Sequence, residues 1–181
     1  MIHLIGGPPR VGKTLLAERV ARGIGASWIS TDIIRSVIEV GQPGLTHIVW
    51  GETAGIQAHA ASFFPYLDRL LWGVDSLRGP YVIEGVDFLP EQAVRLAEHY
   101  PVRSVFLGHS AMTGSILRDH FGRQPWLAGT APEQLRLMAE HIVGHTELVK
   151  QECIRLGVAF VDIAGDFDRK LAEAETRLLT G

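Results

Sequence analysis

The chain has 181 residues, of which 46% are hydrophobic and 20% are charged, and these values are typical of one globular domain. The length excludes a second full-sized domain, and a disordered chain would combine lower hydrophobicity with a higher net charge. The 17 basic and 20 acidic residues give a net charge of −3, which argues against an extensive nucleic-acid-binding surface.

Cysteine content and hydropathy restrict the class of protein further. The single cysteine, Cys153, excludes an intramolecular disulfide framework and zinc sites of the Cys-x-x-Cys kind. The first residues lack the features of a secretory signal, and no window supplies the ~18 apolar residues of a membrane helix. We therefore expect a soluble, cytoplasmic protein without a membrane partner, and the oligomeric state stays open.

Short apolar runs alternate with helical periodicity along the chain. Strands are predicted at residues 2–5, 27–30, 81–83, 102–107 and 158–161, and helices at 16–24, 31–40, 56–77, 93–100, 111–121, 135–156 and 167–178. The third helical stripe contains Pro65, which predicts a kink or a split there. Five strands separated by helices predict a three-layer α/β/α fold with a parallel sheet.

Three sets of residues receive structural interpretations. The aromatic residues Phe63, Phe64 and Trp72 are predicted to be core, and Cys153 is predicted to be a small core residue. His141 and His145 stand four positions apart on the long helix. Metal binding would need a third ligand with suitable spacing, so we expect both histidines to be exposed polar residues.

The first strand leads into a motif with the pattern G-x-x-x-x-G-K-[ST]. In such loops the glycines let backbone N–H groups surround phosphate oxygens, the lysine contacts the outer phosphates and the hydroxyl binds Mg²⁺. The following helix adds the positive end of its dipole. The motif predicts a site for ATP and magnesium at Gly7, Pro8, Pro9, Arg10, Val11, Gly12, Lys13, Thr14 and Leu15.

With this motif and layout, the chain resembles the P-loop kinases that phosphorylate small molecules and nucleotides. The resemblance implies a P-loop NTPase fold with the five strands in the order 2-3-1-4-5. It further implies one domain over residues 1–181, with a helical acceptor-binding region at about 44–78 and a lid at about 118–131. Within the helical region, the resemblance makes four residues candidates for the acceptor pocket: His47, Trp50, Glu52 and Gln57.

The stretch Ser30-Thr31-Asp32-Ile33-Ile34-Arg35 resembles part of the polynucleotide 5′-kinases and the 2-phosphoglycerate kinases. A carboxylate such as Asp32, at the end of the second strand, could orient an acceptor hydroxyl and take its proton. The resemblance implies that Arg35 contacts a substrate anion. The alternatives are that Asp32 is an ordinary helix cap and that Arg35 is a solvated helix residue.

Two acidic residues follow the third strand. An apolar strand that ends in Glu84 matches the pattern that positions magnesium or water in P-loop proteins, and Ile83-Glu84-Gly85-Val86 resembles the 2-phosphoglycerate kinase group. Asp87 could contact the acceptor or cap the next helix. The alternative for Glu84 is that it pairs with a buried arginine.

The segment after the fourth strand carries Arg118 and Arg123 in the position of the kinase lid. A guanidinium group there could neutralise charge on the transferring phosphoryl group, and the alternative is a charged surface helix. The loop at residues 162–166 corresponds to the one that flanks adenine in the kinases that the chain resembles.

These observations favour an ATP-dependent kinase that phosphorylates a hydroxyl or a phosphate of a small molecule. The alternatives are a polynucleotide 5′-hydroxyl kinase, which the net charge of −3 and the presence of only three lysines disfavour, and a nucleotide-binding or hydrolysing protein that is not a kinase. The identity of the acceptor is not specified by the sequence, because pockets on a shared scaffold differ by a few side chains.

Overall fold

The structure is a computed structural model that describes residues 1–44, 53–119 and 129–181. Apolar segments form strands and amphipathic segments form helices in the predicted alternation. In chain order the elements are β1 (Ile2–Gly6), α1 (Lys13–Ile24), β2 (Ser27–Ser30), α2 (Thr31–Gly41), α3 (Thr53–Ser76), β3 (Tyr81–Glu84), α4 (Pro90–Ala97), β4 (Val102–Gly108), α5 (Gly114–Asp119), α6 (Pro132–Leu156), β5 (Ala159–Asp162) and α7 (Phe167–Thr180).

The five strands form one sheet in the order β2-β3-β1-β4-β5, and every neighbouring pair is parallel. The predicted α/β fold class and the strand order 2-3-1-4-5 are therefore confirmed. β1 is the central strand, and all five of its residues are buried. Because the strands are parallel, their carboxyl ends lie along one edge of the sheet, where ligands bind in open α/β folds.

Two hydrophobic clusters pack against the sheet. Along β1 the side chains alternate between them, since Ile5 belongs to one cluster while Ile2 and Leu4 belong to the other. The first cluster includes residues of α1 and α7, and the second includes residues of α3 and α4. The helix α6 contributes to both, with Ile142 in the first and Val149 in the second.

The packing of α6 and α3 corrects two predictions. His141 and His145 are buried, with exposed fractions of 5% and 3%, because the first half of α6 packs on one cluster and the second half on the other. Trp72 is 54% exposed rather than core, since it lies one residue beyond Leu71, which occupies the buried stripe. The helix α3 runs through Pro65 without a split.

Other interpretations of the apolar residues are confirmed. Phe63 is 1% exposed and Cys153 is 1% exposed. Phe64 is partly buried, and the guanidinium group of Arg95 lies 4.3 Å from its ring centre. Among the described residues, no helix combines the length and the apolar character that crossing a membrane requires.

We predict that replacing Gly7 destabilises the fold because its backbone has a φ of +128° and a Cβ atom would lie 2.1 Å from the carbonyl oxygen of Leu107. Gly7→Ala should lower the free energy of unfolding by about 2 kcal/mol or more. Gly23→Ala is the matched control, since Gly23 lies in α1 and a Cβ atom added there would have no neighbour within 4 Å. This control should raise stability by up to about 1 kcal/mol. Urea denaturation of both variants measures the difference, and equal midpoints would contradict the prediction.

Candidate functional site

The predicted site residues of the phosphate loop, of the start of α2 and of the end of β3 lie at the carboxyl edge of the sheet. The phosphate loop follows β1, and α2 begins directly after β2 with Thr31 and Asp32. Glu84 is the last residue of β3, and in the sheet it pairs with Ile5 on one side and Ser30 on the other. Consecutive strands thus deliver a phosphate loop and several carboxylates to one region.

The phosphate loop has the backbone conformation that its glycines permit. Gly12, which precedes α1, lies in the left-handed region with a φ of 80°. An added Cβ atom at Gly12 would lie 2.8 Å from the Phe167 ring, so the loop is also packed closely on α7. Arg10 has a φ of 66°, which is uncommon for a residue other than glycine. Of the remaining candidates, Val11 is fully buried and Leu15 is 52% exposed.

Lys13 is the buried cation of the loop. It is 6% exposed, and its Nζ donates a hydrogen bond to the carbonyl oxygen of Pro8 at 2.6 Å. Burial lowers the pKa of Lys13 below its ordinary value, and the negative charges of Glu84, Asp32 and Asp87 oppose that shift. The lysine therefore lies within the field of all three carboxylates.

Glu84 is the acidic group whose charge opposes that of Lys13. The Oγ1 of Thr14 donates to Glu84 Oε1 at 3.3 Å, and burial raises the pKa of Glu84 against the opposing effect of Lys13. A hydroxyl oxygen beside a carboxylate is a suitable pair of hard oxygen ligands for Mg²⁺. Thr14 and Glu84 therefore fit the predicted metal site.

A second group of polar residues is centred on Asp87, whose side chain has no exposed surface. Its Oδ1 accepts from Arg35 and contacts Nε2 of His59, each at 2.7 Å, and its Oδ2 accepts from the hydroxyl of Thr31. Arg35 also donates to Asp32 at 2.5 Å. We refer to Thr31, Asp32, Arg35, His59 and Asp87 as the Asp87 cluster.

The hydrogen bonds of this cluster decide the ionisation of Asp87. Burial alone would raise the pKa of its carboxyl group. The hydrogen bonds from His59 and Thr31 and the charge of Arg35 outweigh that effect, so the pKa lies below the ordinary value. Asp87 is therefore held as a carboxylate, and it fixes the side chains around it.

Gly85 allows α2 to approach the end of β3. A Cβ atom at this position would lie 1.7 Å from Thr31 Oγ1. Any larger residue would separate Thr31 from the loop that carries Asp87. The short segment from Glu84 to Asp87 thus places one carboxylate beside the phosphate loop and the other beside α2.

His59 is a site residue that the sequence patterns do not single out. It is 8% exposed, and it lies three residues after Ile56 and four before Phe63, on the buried stripe of α3. Its ring stacks on Phe63 with 6.4 Å between the ring centres. A polar residue on an otherwise apolar stripe was the available signal.

The remaining candidates are exposed or lie outside the described residues. Arg118 is exposed near the end of α5, and Gln57 is exposed on α3. Four candidates fall outside the described residues: His47, Trp50, Glu52 and Arg123.

The loops after β4 and β5 are joined by a carboxylate. Asp162 Oδ1 accepts from the backbone N–H groups of Ser110 at 3.2 Å and Ala164 at 3.1 Å. At the end of the loop, Asp166 caps α7 by accepting from the N–H of Arg169. The side chains of this loop therefore order its backbone, and a contact with adenine there stays a prediction.

Comparison with known proteins gives matches in structure. No protein-family model matches the chain, and no curated protein matches its sequence. A gluconokinase from Sinorhizobium meliloti 1021 matches with a TM-score of 0.55 and 18% identity over 98% of this chain and 90% of that chain. A sugar kinase from Janibacter sp. HTCC2649 matches with a TM-score of 0.58 and 14% identity, over 98% and 93%.

A shikimate kinase from Acinetobacter baumannii, solved in complex with shikimate, matches with a TM-score of 0.56 and 16% identity. The match covers 98% of this chain and 92% of that chain. At these identities the similarity establishes the architecture and leaves the reaction to the site residues. The chain therefore has the fold of the P-loop small-molecule kinases, as its motifs and its resemblance to them predict.

Proposed function

We propose that the protein is an ATP-dependent phosphotransferase that moves the γ-phosphate of ATP to a small-molecule acceptor. The observation that carries the proposal is the buried ammonium group of Lys13, which lies in a phosphate loop within the field of Asp32, Glu84 and Asp87. The similarity to the gluconokinase and the shikimate kinase supports a small-molecule acceptor. The net charge of −3 disfavours a nucleic-acid acceptor.

The phosphate loop would hold the triphosphate. The backbone N–H groups from Gly7 to Leu15 would surround the phosphate oxygens, and Lys13 would place its charge on the outer phosphates. In this structure Lys13 donates to Pro8 within the loop, so the ammonium group is already oriented across it. This arrangement requires little rearrangement when phosphate binds.

Thr14 and Glu84 would hold Mg²⁺ through their side-chain oxygens. The metal ion supplies neutralisation of phosphate charge when it is bound. The low-dielectric surroundings of Glu84, which raise its pKa, strengthen its interaction with a cation compared with an exposed carboxylate.

Asp32 would act as the general base. Its side chain is 61% exposed, so an acceptor can reach it, while Arg35 holds the carboxylate in place. The proton of the acceptor hydroxyl passes to Asp32 as the acceptor oxygen bonds to the γ-phosphorus. The bond to the bridging oxygen breaks, and ADP leaves. In this proposal Arg118 and Arg123 belong to a lid that neutralises charge on the transferring group, and Asp87 and Arg35 lie on the acceptor side.

The proposal predicts phosphate transfer from γ-³²P-labelled ATP into a polar metabolite extract. Lys13→Ala should reduce that transfer by at least ~10²-fold, because it removes the positive charge at the outer phosphates. Lys150→Ala is the control, since Lys150 lies on α6 and is not part of the phosphate-loop motif. Transfer by the Lys13 variant at the wild-type rate would contradict the assigned phosphate site.

The role of Asp32 can be separated from a helix-capping role. Asp32→Asn should lower kcat by ~10²-fold or more and leave ATP affinity unchanged, because the amide keeps the shape and loses the basicity. Asp168→Asn is the matched control, since Asp168 lies in the first turn of α7 and shares its favourable effect on the helix dipole.

Both Asp→Asn variants should change the free energy of unfolding by less than about 1 kcal/mol. The measurements are steady-state kinetics with the acceptor found in the extract and urea denaturation. If Asp32→Asn lowers stability but keeps its kcat, Asp32 is a structural residue and the assignment of the base is wrong.

A further inference from the structure

The Asp87 cluster has an exposed side and a buried end. The exposed fraction of the side chain falls from 61% for Asp32 to 19% for Arg35, 6% for His59 and none for Asp87. Three consecutive contacts connect Asp32 to His59 through Arg35 and Asp87. His59 is therefore at the opposite end of this chain of contacts from the exposed Asp32.

Arg35 is already engaged by two carboxylates. Its NH1 donates to Asp87 at 2.7 Å and its NH2 donates to Asp32 at 2.5 Å. An anionic acceptor would therefore compete with two carboxylates for the charge of one guanidinium group, and loss of the contact with Asp87 would leave a charge buried without its cationic partner. With a neutral His59 ring, the two carboxylates and one guanidinium group of the cluster have a net negative charge, which disfavours a further anion.

His59 offers a hydrogen-bonding atom at the buried end. A carboxylate accepts hydrogen bonds and cannot donate them, so Nε2 of His59 carries the proton that faces Asp87. In the neutral ring Nδ1 then has a lone pair. This atom is buried and has no hydrogen-bond partner in the part of the chain that the structure describes. A buried acceptor of this kind gains most from a ligand that donates a hydrogen bond, as a hydroxyl group does.

We infer that the acceptor is a neutral polyhydroxylated molecule that places its reacting hydroxyl at Asp32 and donates a second hydroxyl to Nδ1 of His59. This inference rests on the proposed function and narrows its substrate class. It replaces the expectation that Arg35 binds a substrate anion with a positioning role, in which Arg35 joins Asp32 to Asp87. His59 becomes the residue that determines specificity.

Matched pairs of probes test the substrate class. The pairs differ in one terminal group, –CH₂OH or –COO⁻: D-sorbitol and D-gluconate, ribitol and D-ribonate, and glycerol and D-glycerate. ADP release by the wild-type protein should show a kcat/KM at least ~10-fold higher for the alcohol in at least one pair. Preference for the acid in every active pair overturns the inference, and so does the absence of transfer to all three alcohols.

A substitution at His59 tests the specific contact. In His59→Gln the amide N–H₂ can replace Nε2 as the donor to Asp87, whereas the amide oxygen, the acceptor that remains, does not occupy the ring position of Nδ1. With the best alcohol, KM should rise about 10-fold, as expected for one lost hydrogen bond, while kcat and the KM for ATP stay within about twofold. The control is His99→Gln, at an exposed position outside the cluster. Loss of stability with an unchanged KM for the alcohol would show that His59 is a core residue.

A measurement on the wild-type protein does not depend on the folding of the variant. With ¹⁵N-labelled histidine rings and saturating ADP, addition of D-sorbitol, ribitol or glycerol, whichever is most active, should shift the Nδ1 resonance of His59. The Nε2 resonance should keep the chemical shift of a protonated nitrogen. An unchanged Nδ1 resonance at saturating alcohol overturns the contact.

Failure of this inference can be distinguished from failure of the proposed function. If the metabolite extract accepts phosphate in a Lys13-dependent manner and none of the alcohols does, the kinase assignment stands and the neutral acceptor class is wrong. If neither accepts phosphate, the proposed function and the inference fail together.

Discussion

The carboxylate of Asp87 has no exposed surface, and an ionised group in such a position is stable only while other groups neutralise it and donate hydrogen bonds to it. Thr31 and Arg35 from α2 and His59 from α3 meet this requirement. Removing one of these donors would cost several kcal/mol, since the charge would stay buried. The requirement therefore ties α2 and α3 to the end of β3, and it sets the position of Asp32 through Arg35.

A similar constraint acts at the phosphate loop. Burial lowers the pKa of Lys13 and raises the pKa of Glu84. For each charged group, the cost of desolvation therefore exceeds the stabilisation that the surrounding charges provide. Perturbed pKa values cluster at functional sites. A triphosphate at Lys13 and a cation at Glu84 would each supply the missing opposite charge. The carboxyl edge of the sheet thus has two groups of charges. Lys13 and Glu84 are only partly compensated by their neighbours, whereas the carboxylate of Asp87 is stabilised by its hydrogen bonds and by Arg35.

Most of the architecture follows from local patterns, and the exceptions have physical causes. Alternation and helical periodicity locate the five strands and the long helices, while the strand order comes from the resemblance to P-loop kinases, because periodicity contains no information about which strands pair. The spacing of apolar residues on α6 suggests one buried stripe and therefore does not predict the burial of His141 and His145. This helix packs on two clusters in succession, and burial lowers the pKa of His145 to about 3. Taken with Phe63 and Phe64 as an aromatic stripe, Trp72 is predicted to be core, whereas its position on α3 faces away from the buried stripe.

The two halves of the site differ in how much sequence separates the residues that form them. The phosphate loop is one continuous segment of the chain. Its motif from Gly7 to Thr14 can therefore be recognised in the sequence, and it identifies a class of nucleotide-binding protein. In the Asp87 cluster, the three residues that contact Asp87 are 28, 52 and 56 positions away from it, and a single sequence does not show which of these side chains touch one another. If the Asp87 cluster binds the acceptor as proposed, recognition depends on such long-range contacts, and proteins with this fold can keep the phosphate site while single exchanges at positions such as His59 change the substrate. The contact of Arg35 with Asp87 is of this kind, and under the proposed function Arg35, which the resemblance assigns to a substrate anion, becomes a residue that orients the proposed base Asp32.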